Sequence, residues 1–142
     1  MHDDAKKQAR ETKTPQELTE MLIQAVNESN KSMVKRLLKM KAGSFDINQR
    51  CVKQRVADLQ GHTPLTMAVV MYHHDEHDLS FVKRLLKVKS IDVNKYELAR
   101  GGTPLWIACQ KGLNLGISID DNHDELVELL KSVGAKYLQH KV

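Results

Sequence analysis

Apolar and polar residues follow each other along this chain with the period of amphipathic helices. One pattern, a valine and a pair of leucines among lysines and an arginine, occupies residues 34–39 and recurs unchanged at residues 82–87. A third copy with altered polar residues lies at residues 126–131. The apolar residues fall three and four positions apart, so they line one side of a helix whose other side is charged. The pattern predicts three equivalent amphipathic helices.

Two further segments repeat, and the order of all the pieces is the same in each unit. Residues 45–48 read Phe-Asp-Ile-Asn, and residues 91–94 read Ile-Asp-Val-Asn. Residues 61–68 read Gly-His-Thr-Pro-Leu-Thr-Met-Ala, and residues 101–108 read Gly-Gly-Thr-Pro-Leu-Trp-Ile-Ala. A fixed internal order of this kind predicts a fold built from stacked, similar units.

Start signals predict where the other helices begin. In each Thr-Pro pair the threonine is placed to cap a helix, and the proline takes the first helical position, where its missing N–H costs nothing. Residues 14–17, Thr-Pro-Gln-Glu, have the order of a capping box and predict a helix start in an N-terminal unit. The longest apolar run, residues 65–71, predicts a buried helix, and the small Ala68 and Ala108 let paired helices lie close together.

This order resembles the ankyrin repeat, a unit of about 33 residues with a Thr-Pro-Leu-His opening, two antiparallel helices and a β-hairpin-like finger. The resemblance covers residues 14–137 and implies an all-α solenoid of about three helix-turn-helix repeats with β-hairpin-like finger loops. Residues 1–13 are expected to form a flexible polar N-terminus, and residues 14–142 the repeat domain. The repeats are expected near residues 14–48, 58–94 and 98–137.

The chain departs from the family pattern in two ways. Long connections around residues 72–78 and 115–123 are inserted between paired helices, and the first finger is also long. The usual histidine after Thr-Pro-Leu is Thr66 in one repeat and Trp106 in the next, which predicts that a hydrogen bond bracing the turn is lost.

The resemblance implies a non-catalytic module that binds another protein through a concave face of finger tips and first helices. Three cationic residues of the long first finger are candidates for steering an acidic partner, unless they belong to an ordinary solvated loop. Val70 and Met71 form an apolar anchor if they face outward, and core if the following connection covers them. The predicted contact residues are Arg50, Lys53, Arg55, Leu59, Gln60, His62, Val70, Met71, Ala99, Arg100, Gly102, Gln110 and Lys111.

A second hypothesis is electrostatic binding of nucleic acid or an anionic membrane by a basic stripe on the second helices. The alternative for the stripe is a solvated face, and Glu125 and Glu128 interrupt it in the third unit. The net charge of +4 is too small to decide between an electrostatic binding surface and a solvated face. Aromatic residues make up only 4% of the chain and provide little for the stacking of nucleic-acid bases. The basic stripe consists of Lys35, Arg36, Lys39, Lys83, Arg84 and Lys87.

A metal site is considered only at the histidine-rich connection between the second pair of helices. His73 and His77 have the i, i+4 spacing of a helical zinc pair, with His74 and several carboxylates beside them. The segment follows the expected end of the helix and lacks the glutamate of a His-Glu-x-x-His sequence. We therefore expect a solvated loop, and neither a metal nor another cofactor.

No catalytic arrangement stands out, because the chain has no glycine-rich phosphate loop, no nucleophile elbow and no oriented Cys-His pair. Cys51 and Cys109 lie in dissimilar contexts and are expected to be free thiols, with Cys109 in the core. The first residues do not form a signal peptide, so we expect the protein in the cytoplasm. We also expect a monomer. A nuclear location, delivery into a host cell, and origin in a longer repeat array stay open.

Overall fold

The computed structural model describes residues 13–40, 43–52, 59–72, 78–111 and 124–141. Within these residues the chain forms six α-helices in three consecutive pairs and no β-strand longer than a single bridge. This confirms the predicted all-α repeat architecture. The helices are α1 (Pro15–Asn27), α2 (Lys31–Leu38), α3 (Pro64–Tyr72), α4 (Ser80–Leu86), α5 (Pro104–Lys111) and α6 (Glu125–Ser132).

The helices form two layers. The first helices α1, α3 and α5 pack side by side in chain order, and each second helix packs against the first helix of its own pair. The core lies between the layers. Small residues occupy equivalent places in it, since Ala25, Ala68 and Ala108 are all buried, as the predicted close approach of paired helices requires. The residues of α3 are buried from Pro64 to Val69 because this helix has neighbours on both sides along the stack.

The second helices bury the apolar stripe predicted from the sequence. In α2 the buried residues are Val34 and Leu37, and in α4 they include Val82 and Leu85. In α6, Leu126, Val127 and Leu130 are buried. Each of these side chains contributes roughly 1.5 to 3 kcal/mol through removal of apolar surface from water. The lysines and arginines between them remain exposed.

The predicted start signals also act as expected. Thr14 and Glu17 form a complete capping box at α1, with Glu17 N–H donating to Thr14 Oγ1 at 3.1 Å. Thr63 Oγ1 accepts from Thr66 N–H at 3.1 Å at the start of α3. Thr103 Oγ1 accepts from Trp106 N–H at 3.3 Å at the start of α5. These bonds satisfy N–H groups that have no partner inside the helix.

The prediction that Thr66 removes the turn-bracing hydrogen bond is wrong. The Thr63 N–H donates to Thr66 Oγ1 at 2.8 Å, and a 3.0 Å hydrogen bond joins the same oxygen to His62 Nδ1. In the next repeat the aligned pair is Gly102 and Trp106. A Cβ atom on Gly102 would overlap the indole ring, so the large side chain at one position requires glycine at the other. Each repeat therefore uses a different matched pair at this turn.

The repeated Asp-x-Asn segments form identical turns. Asp46 Oδ1 accepts from Asn48 N–H at 2.8 Å, and Asp92 Oδ1 accepts from Asn94 N–H at 2.9 Å. Such Asx turns fix the direction in which the chain leaves the second helix and enters the finger. The sequence repeat at residues 45–48 and 91–94 thus has a local structural cause.

The two asparagines of these turns also join one repeat to the next. Asn48 Nδ2 donates to the carbonyl oxygen of Ser90 at 2.8 Å, and Asn48 Oδ1 accepts from Asp92 N–H at 2.7 Å. Asn94 Oδ1 accepts from Lys136 N–H at 2.7 Å in the same manner. We call this series of bonds the asparagine relay. It links the three repeats along the side on which the fingers begin.

The fingers follow the relay, and three segments form them: residues 49–62, of which 49–52 and 59–62 are described, residues 95–102 and residues 136–141. Cys51 and His62 pair across the base of the first finger, where Cys51 N–H donates to the His62 carbonyl at 2.8 Å. The third finger pairs with the second, and Thr103 N–H donates to the Leu138 carbonyl at 3.0 Å. Gly101 has a φ of +75°, and a Cβ there would collide with the His140 carbonyl, so this close approach requires glycine.

Candidate protein-binding surface

Each of the three fingers carries exposed apolar side chains. Val52 is 60% exposed on the first finger, and Leu98 is 47% exposed on the second. On the third finger, Tyr137 and Leu138 are 43% and 45% exposed. We call these four residues the finger surface. Single exposed apolar residues are common, but four of the six large apolar residues exposed in the described part of the chain lie on fingers.

The first helices present apolar and polar groups beside the fingers. Val70 and Met71 pack on the core and are half-buried, which falls between the two alternatives predicted for them. Trp106 is also half-buried, and the guanidinium of Arg100 lies 6.0 Å from its ring centroid. The exposed Gln110 donates from Nε2 to the Tyr137 hydroxyl at 3.0 Å, which connects the end of α5 to the third finger. Partly accessible apolar groups therefore extend from the fingers toward the helices.

Arg50 is held inside the finger array. Its Nε donates to the Tyr96 carbonyl at 2.8 Å, and its guanidinium lies 4.4 Å from the centroid of the Tyr96 ring. The imidazole ring of His140 also stacks on the Tyr96 ring, and the two ring centroids are 4.0 Å apart. Arg50, Tyr96 and His140 thus form a column of three flat groups, one from each finger. The cation–π contact adds an attraction of about 0.5 to 2 kcal/mol between the first two fingers.

A buried carboxylate organises the second finger. The Glu97 side chain is 0% exposed, and its oxygens accept from Ala99 N–H at 2.8 Å and from Arg100 N–H at 2.9 Å. A longer bond of 3.3 Å comes from Gly102 N–H. Hydrogen bonds to a charged acceptor are stronger than neutral ones. Glu97 therefore holds the turn that presents Leu98, Ala99 and Arg100 to solvent.

Three predicted contact residues are inaccessible, and we correct that prediction for them. Leu59 is 1% exposed and lies in the core, and His62 is 7% exposed and hydrogen-bonded at the turn. Gly102 is buried beneath the Trp106 ring. A sequence position on a finger or turn does not fix the direction of its side chain, as for Leu59 and His62, and it does not show which neighbouring side chain covers it, as for Gly102 under Trp106.

Apart from Arg50, Val70 and Met71, described above, the remaining predicted contact residues fall into two groups. Gln60, Ala99, Arg100 and Gln110 are exposed and available to a partner. Lys53, Arg55 and the side chain of Lys111 lie outside the described residues.

The basic stripe has the exposure predicted for it. Its six lysine and arginine side chains are exposed, and Glu125 and Glu128 of α6 are exposed as well. At the start of α2 the ammonium of Lys31 lies 3.0 Å from Asp78 Oδ2. The pKa of Asp78 is lowered, first by the hydrogen bond from the Ser80 N–H and then by Lys31. The carboxylates of Asp78, Glu125 and Glu128 therefore reduce the positive electrostatic potential near the second helices.

No metal-binding cluster is found among the residues that the structure describes. They contain no group of three or more histidine, cysteine, aspartate or glutamate side chains arranged to hold a metal ion. The predicted candidates His73, His74 and His77 lie outside them. Cys51 and Cys109 are buried and are not joined in a disulfide, as expected. Burial raises the pKa of Cys109 to about 11, which keeps the thiol protonated and unreactive.

None of the helices that the structure describes combines the length and the apolar character that a membrane span requires.

Comparison with protein families gives a clear match once the helix pairs and fingers are known. The family model for ankyrin repeats matches residues 22–140 with 3 copies, which is most of the chain. The chain belongs to the ankyrin-repeat family. Ankyrin repeats are generally protein–protein interaction modules, and the family is typically non-catalytic. Comparison with curated proteins finds no match to this ankyrin-repeat chain.

Several residues of the ankyrin surface were not predicted from the sequence. Tyr96 and His140 are far from Arg50 along the chain, and no repeated pattern marks them. Tyr137 and Leu138 follow the last helix in a polar segment that resembles a simple end cap. Trp106 departs from the family pattern, and its large side chain at that position is the feature of the sequence that could have indicated its place on this surface.

Proposed function

We propose that this ankyrin-repeat protein acts by occupancy, as an adaptor, inhibitor or competitor that binds a partner protein through the finger surface and the adjoining first helices. The observation that carries the proposal is the placement of exposed apolar side chains on all three fingers. Val52, Leu98 and Leu138 each project from a different repeat. A partner that covers them removes apolar surface from water, which is the main favourable contribution to protein association.

The internal bonding of the fingers supports this proposal. The column of Arg50, Tyr96 and His140 and the buried Glu97 carboxylate hold the fingers in one arrangement before a partner arrives. A preformed surface loses less conformational entropy on binding than a set of loose loops. These contacts therefore favour binding without a large rearrangement.

The charges beside the finger surface favour an acidic partner. The exposed Arg100 lies beside Trp106 and two positions from Leu98 of the finger surface. Charges at the edge of an interface mainly raise the association rate and select the partner. We accordingly propose a partner with an apolar patch bordered by aspartate and glutamate.

A pair of matched substitutions tests the proposal. Leu98→Glu changes a finger side chain that is 47% exposed, and Val133→Glu changes a side chain beyond α6 that is 41% exposed. Both variants gain one negative charge at similar exposure. In affinity capture from native cell lysate followed by titration with the captured partner, we expect Leu98→Glu to weaken binding at least tenfold and Val133→Glu to leave it unchanged.

The same experiment distinguishes the electrostatic alternative. If binding is indifferent to Leu98→Glu, but moderate salt or the Lys35→Glu/Arg36→Glu variant abolishes it, the basic stripe is the binding surface and the finger proposal fails. Circular dichroism of every variant confirms that it is folded before binding is compared.

We further propose that the protein is a non-catalytic monomer that acts in the cytoplasm, the nucleus or a host cell that receives it. The family's typical lack of catalysis supports the first part. Sedimentation velocity at several concentrations tests the monomeric state, and fluorescence microscopy of the tagged protein tests the location.

A further inference from the structure

A cleft opens between the first and second repeats. The C-terminal ends of α2 and α4 line it together with described residues of the segments that follow them, at 43–47 and 88–90, and its volume is about 570 Å³. This volume is in the range of clefts that accept small ligands or protruding side chains. The apolar residues that line it are Leu37, Leu38, Met40, Phe45, Ile47 and Val88.

The apolar lining is accessible at its edge and anchored in the core at its base. Leu37 and Ile47 are 3% and 4% exposed, whereas Met40 is 39% exposed. Phe45 and Val88 are half-buried between them. An apolar side chain placed here would contact residues that are already fixed by the core and would displace water from Met40.

Cationic side chains surround this apolar lining. Arg84, Lys87 and Lys89 line the cleft and are exposed, and no carboxylate is among the lining residues. Within the described part of the chain none of these three cations forms an ion pair. A bound group that brings negative charge would therefore meet attraction from several cations without displacing an existing partner.

We propose that this cleft binds an acidic amphipathic segment of a partner protein. One bulky apolar side chain of the segment enters the cleft beside Met40 and Phe45. Aspartate or glutamate residues on either side of it meet Arg84, Lys87 and Lys89. The site is separate from the finger surface, and the proposal stands whether or not the fingers bind a partner.

The apolar lining and the positive rim together select this class of occupant. Duplex nucleic acid keeps its bases inside a charged exterior, and an unpaired base would find only one aromatic residue, Phe45, in the lining to stack on. A symmetric second copy of this chain would bring its own Arg84 and Lys87 against the same residues, and like charges would oppose the contact. An acidic peptide with an apolar side chain matches both features.

Fluorescence anisotropy with synthetic peptides tests the proposal on the full-length protein. The probe is fluorescein-labelled Glu-Glu-Phe-Glu-Glu, and the comparison peptides are Glu-Glu-Ala-Glu-Glu and Lys-Lys-Phe-Lys-Lys. We expect saturable binding of the probe, with affinity reduced at least tenfold for the alanine peptide and abolished for the lysine peptide.

Matched charge reversals locate the binding site. Arg84→Glu/Lys87→Glu changes the rim of the cleft, whereas Arg36→Glu/Lys39→Glu changes the same residue types at the equivalent positions of α2, which do not line it. We expect the first variant to reduce affinity at least tenfold and the second to change it less than twofold. Met40→Glu, at an exposed position, is expected to weaken binding as strongly as the first variant. Leu98→Glu on the finger surface is expected to have no effect.

Other results would overturn the proposal. Equal loss in both charge-reversal variants, or equal binding of the phenylalanine and alanine peptides, indicates unspecific attraction to positive charge. Absence of peptide binding together with saturable binding of dodecanoate that depends on Arg84 and Lys87 assigns the cleft to a small amphiphile. Self-association in sedimentation velocity that Met40→Glu abolishes assigns it to a second copy of this chain.

Discussion

Cys109 lies on α5 with only 3% of its side chain exposed. Its sulfur is accommodated by the surrounding core cluster. Burial disfavours the thiolate, which raises the pKa from the ordinary value of 9.0 to about 11, and Asp124 adds to this rise while Lys131 opposes it. The residue therefore acts as a small apolar group and becomes a source of instability only in alkaline solution.

This pKa makes a prediction for stability against pH. Because the folded-state pKa is the higher one, stability is fully present below pH 9 and is lost as the pH rises toward 11. We expect the free energy of unfolding of the wild type, measured by urea denaturation and compared with that of Cys109→Ala, to fall by about 2 kcal/mol over this interval. A constant difference between the two proteins from pH 8 to pH 11 would contradict the buried, protonated thiol.

At the scale of the element, the second finger depends on one side chain. Glu97 is fully buried, and three backbone N–H groups of its own loop donate to it. The finger also pairs Glu97 N–H with the Gly102 carbonyl at 3.0 Å. A short loop without a core of its own is thus fixed by hydrogen bonds to a single carboxylate.

Glu97→Gln should therefore loosen the second finger while the helices remain folded. We expect a loss of about 2 kcal/mol in the free energy of unfolding, because hydrogen bonds to a charged acceptor are replaced by weaker ones. Hydrogen exchange should become faster at residues 98–102. The control is Glu28→Gln, which alters an exposed carboxylate at the end of α1. Unchanged exchange at residues 98–102 would mean that the carboxylate does not hold the loop.

Element by element, the sequence predicted those parts whose residues repeat. The second helices are recognisable from the valine and the leucine pair that recur at residues 34–38 and 82–86. Burial of one helix face requires apolar residues at regular intervals of three and four positions. The contact between Arg50 and Tyr96 joins residues 46 positions apart and imposes no period, so it was not predictable. The half-burial of Val70 and Met71 depends on packing across repeats, and the pattern alone left that open.

At the scale of the whole molecule, the third finger is bonded firmly to the second repeat. Residues 136–141 bond to the second finger, with Thr103 Oγ1 donating to the Lys136 carbonyl at 2.6 Å and His140 N–H donating to the Gly101 carbonyl at 2.6 Å. His140 also completes the column on Tyr96. In repeat proteins each unit stabilises its neighbour through such interface contacts.

Deletion of residues 136–142 should therefore lower the stability of the entire domain. We expect the free energy of unfolding to fall by about 2 to 4 kcal/mol, since several hydrogen bonds worth about 1 kcal/mol each are lost. Urea denaturation followed by circular dichroism measures the change. The matched control deletes only residues 141–142 and retains His140. Equal stability of the two truncated proteins would show that the third finger adds nothing to the stack.

The asparagine relay has a consequence for how such a chain changes its length. The side-chain oxygen of Asn48 in the first repeat accepts from a backbone N–H of the second repeat. The side-chain oxygen of Asn94 in the second repeat accepts from a backbone N–H of the third repeat in the same way. The turn that ends one unit is therefore able to form the same hydrogen bond with the equivalent turn of a copy of that unit placed after it. A tandem duplication of the middle repeat would create a junction whose hydrogen bonds are already satisfied. The repeat array can therefore lengthen by duplication of a repeat, without new interface residues having to evolve.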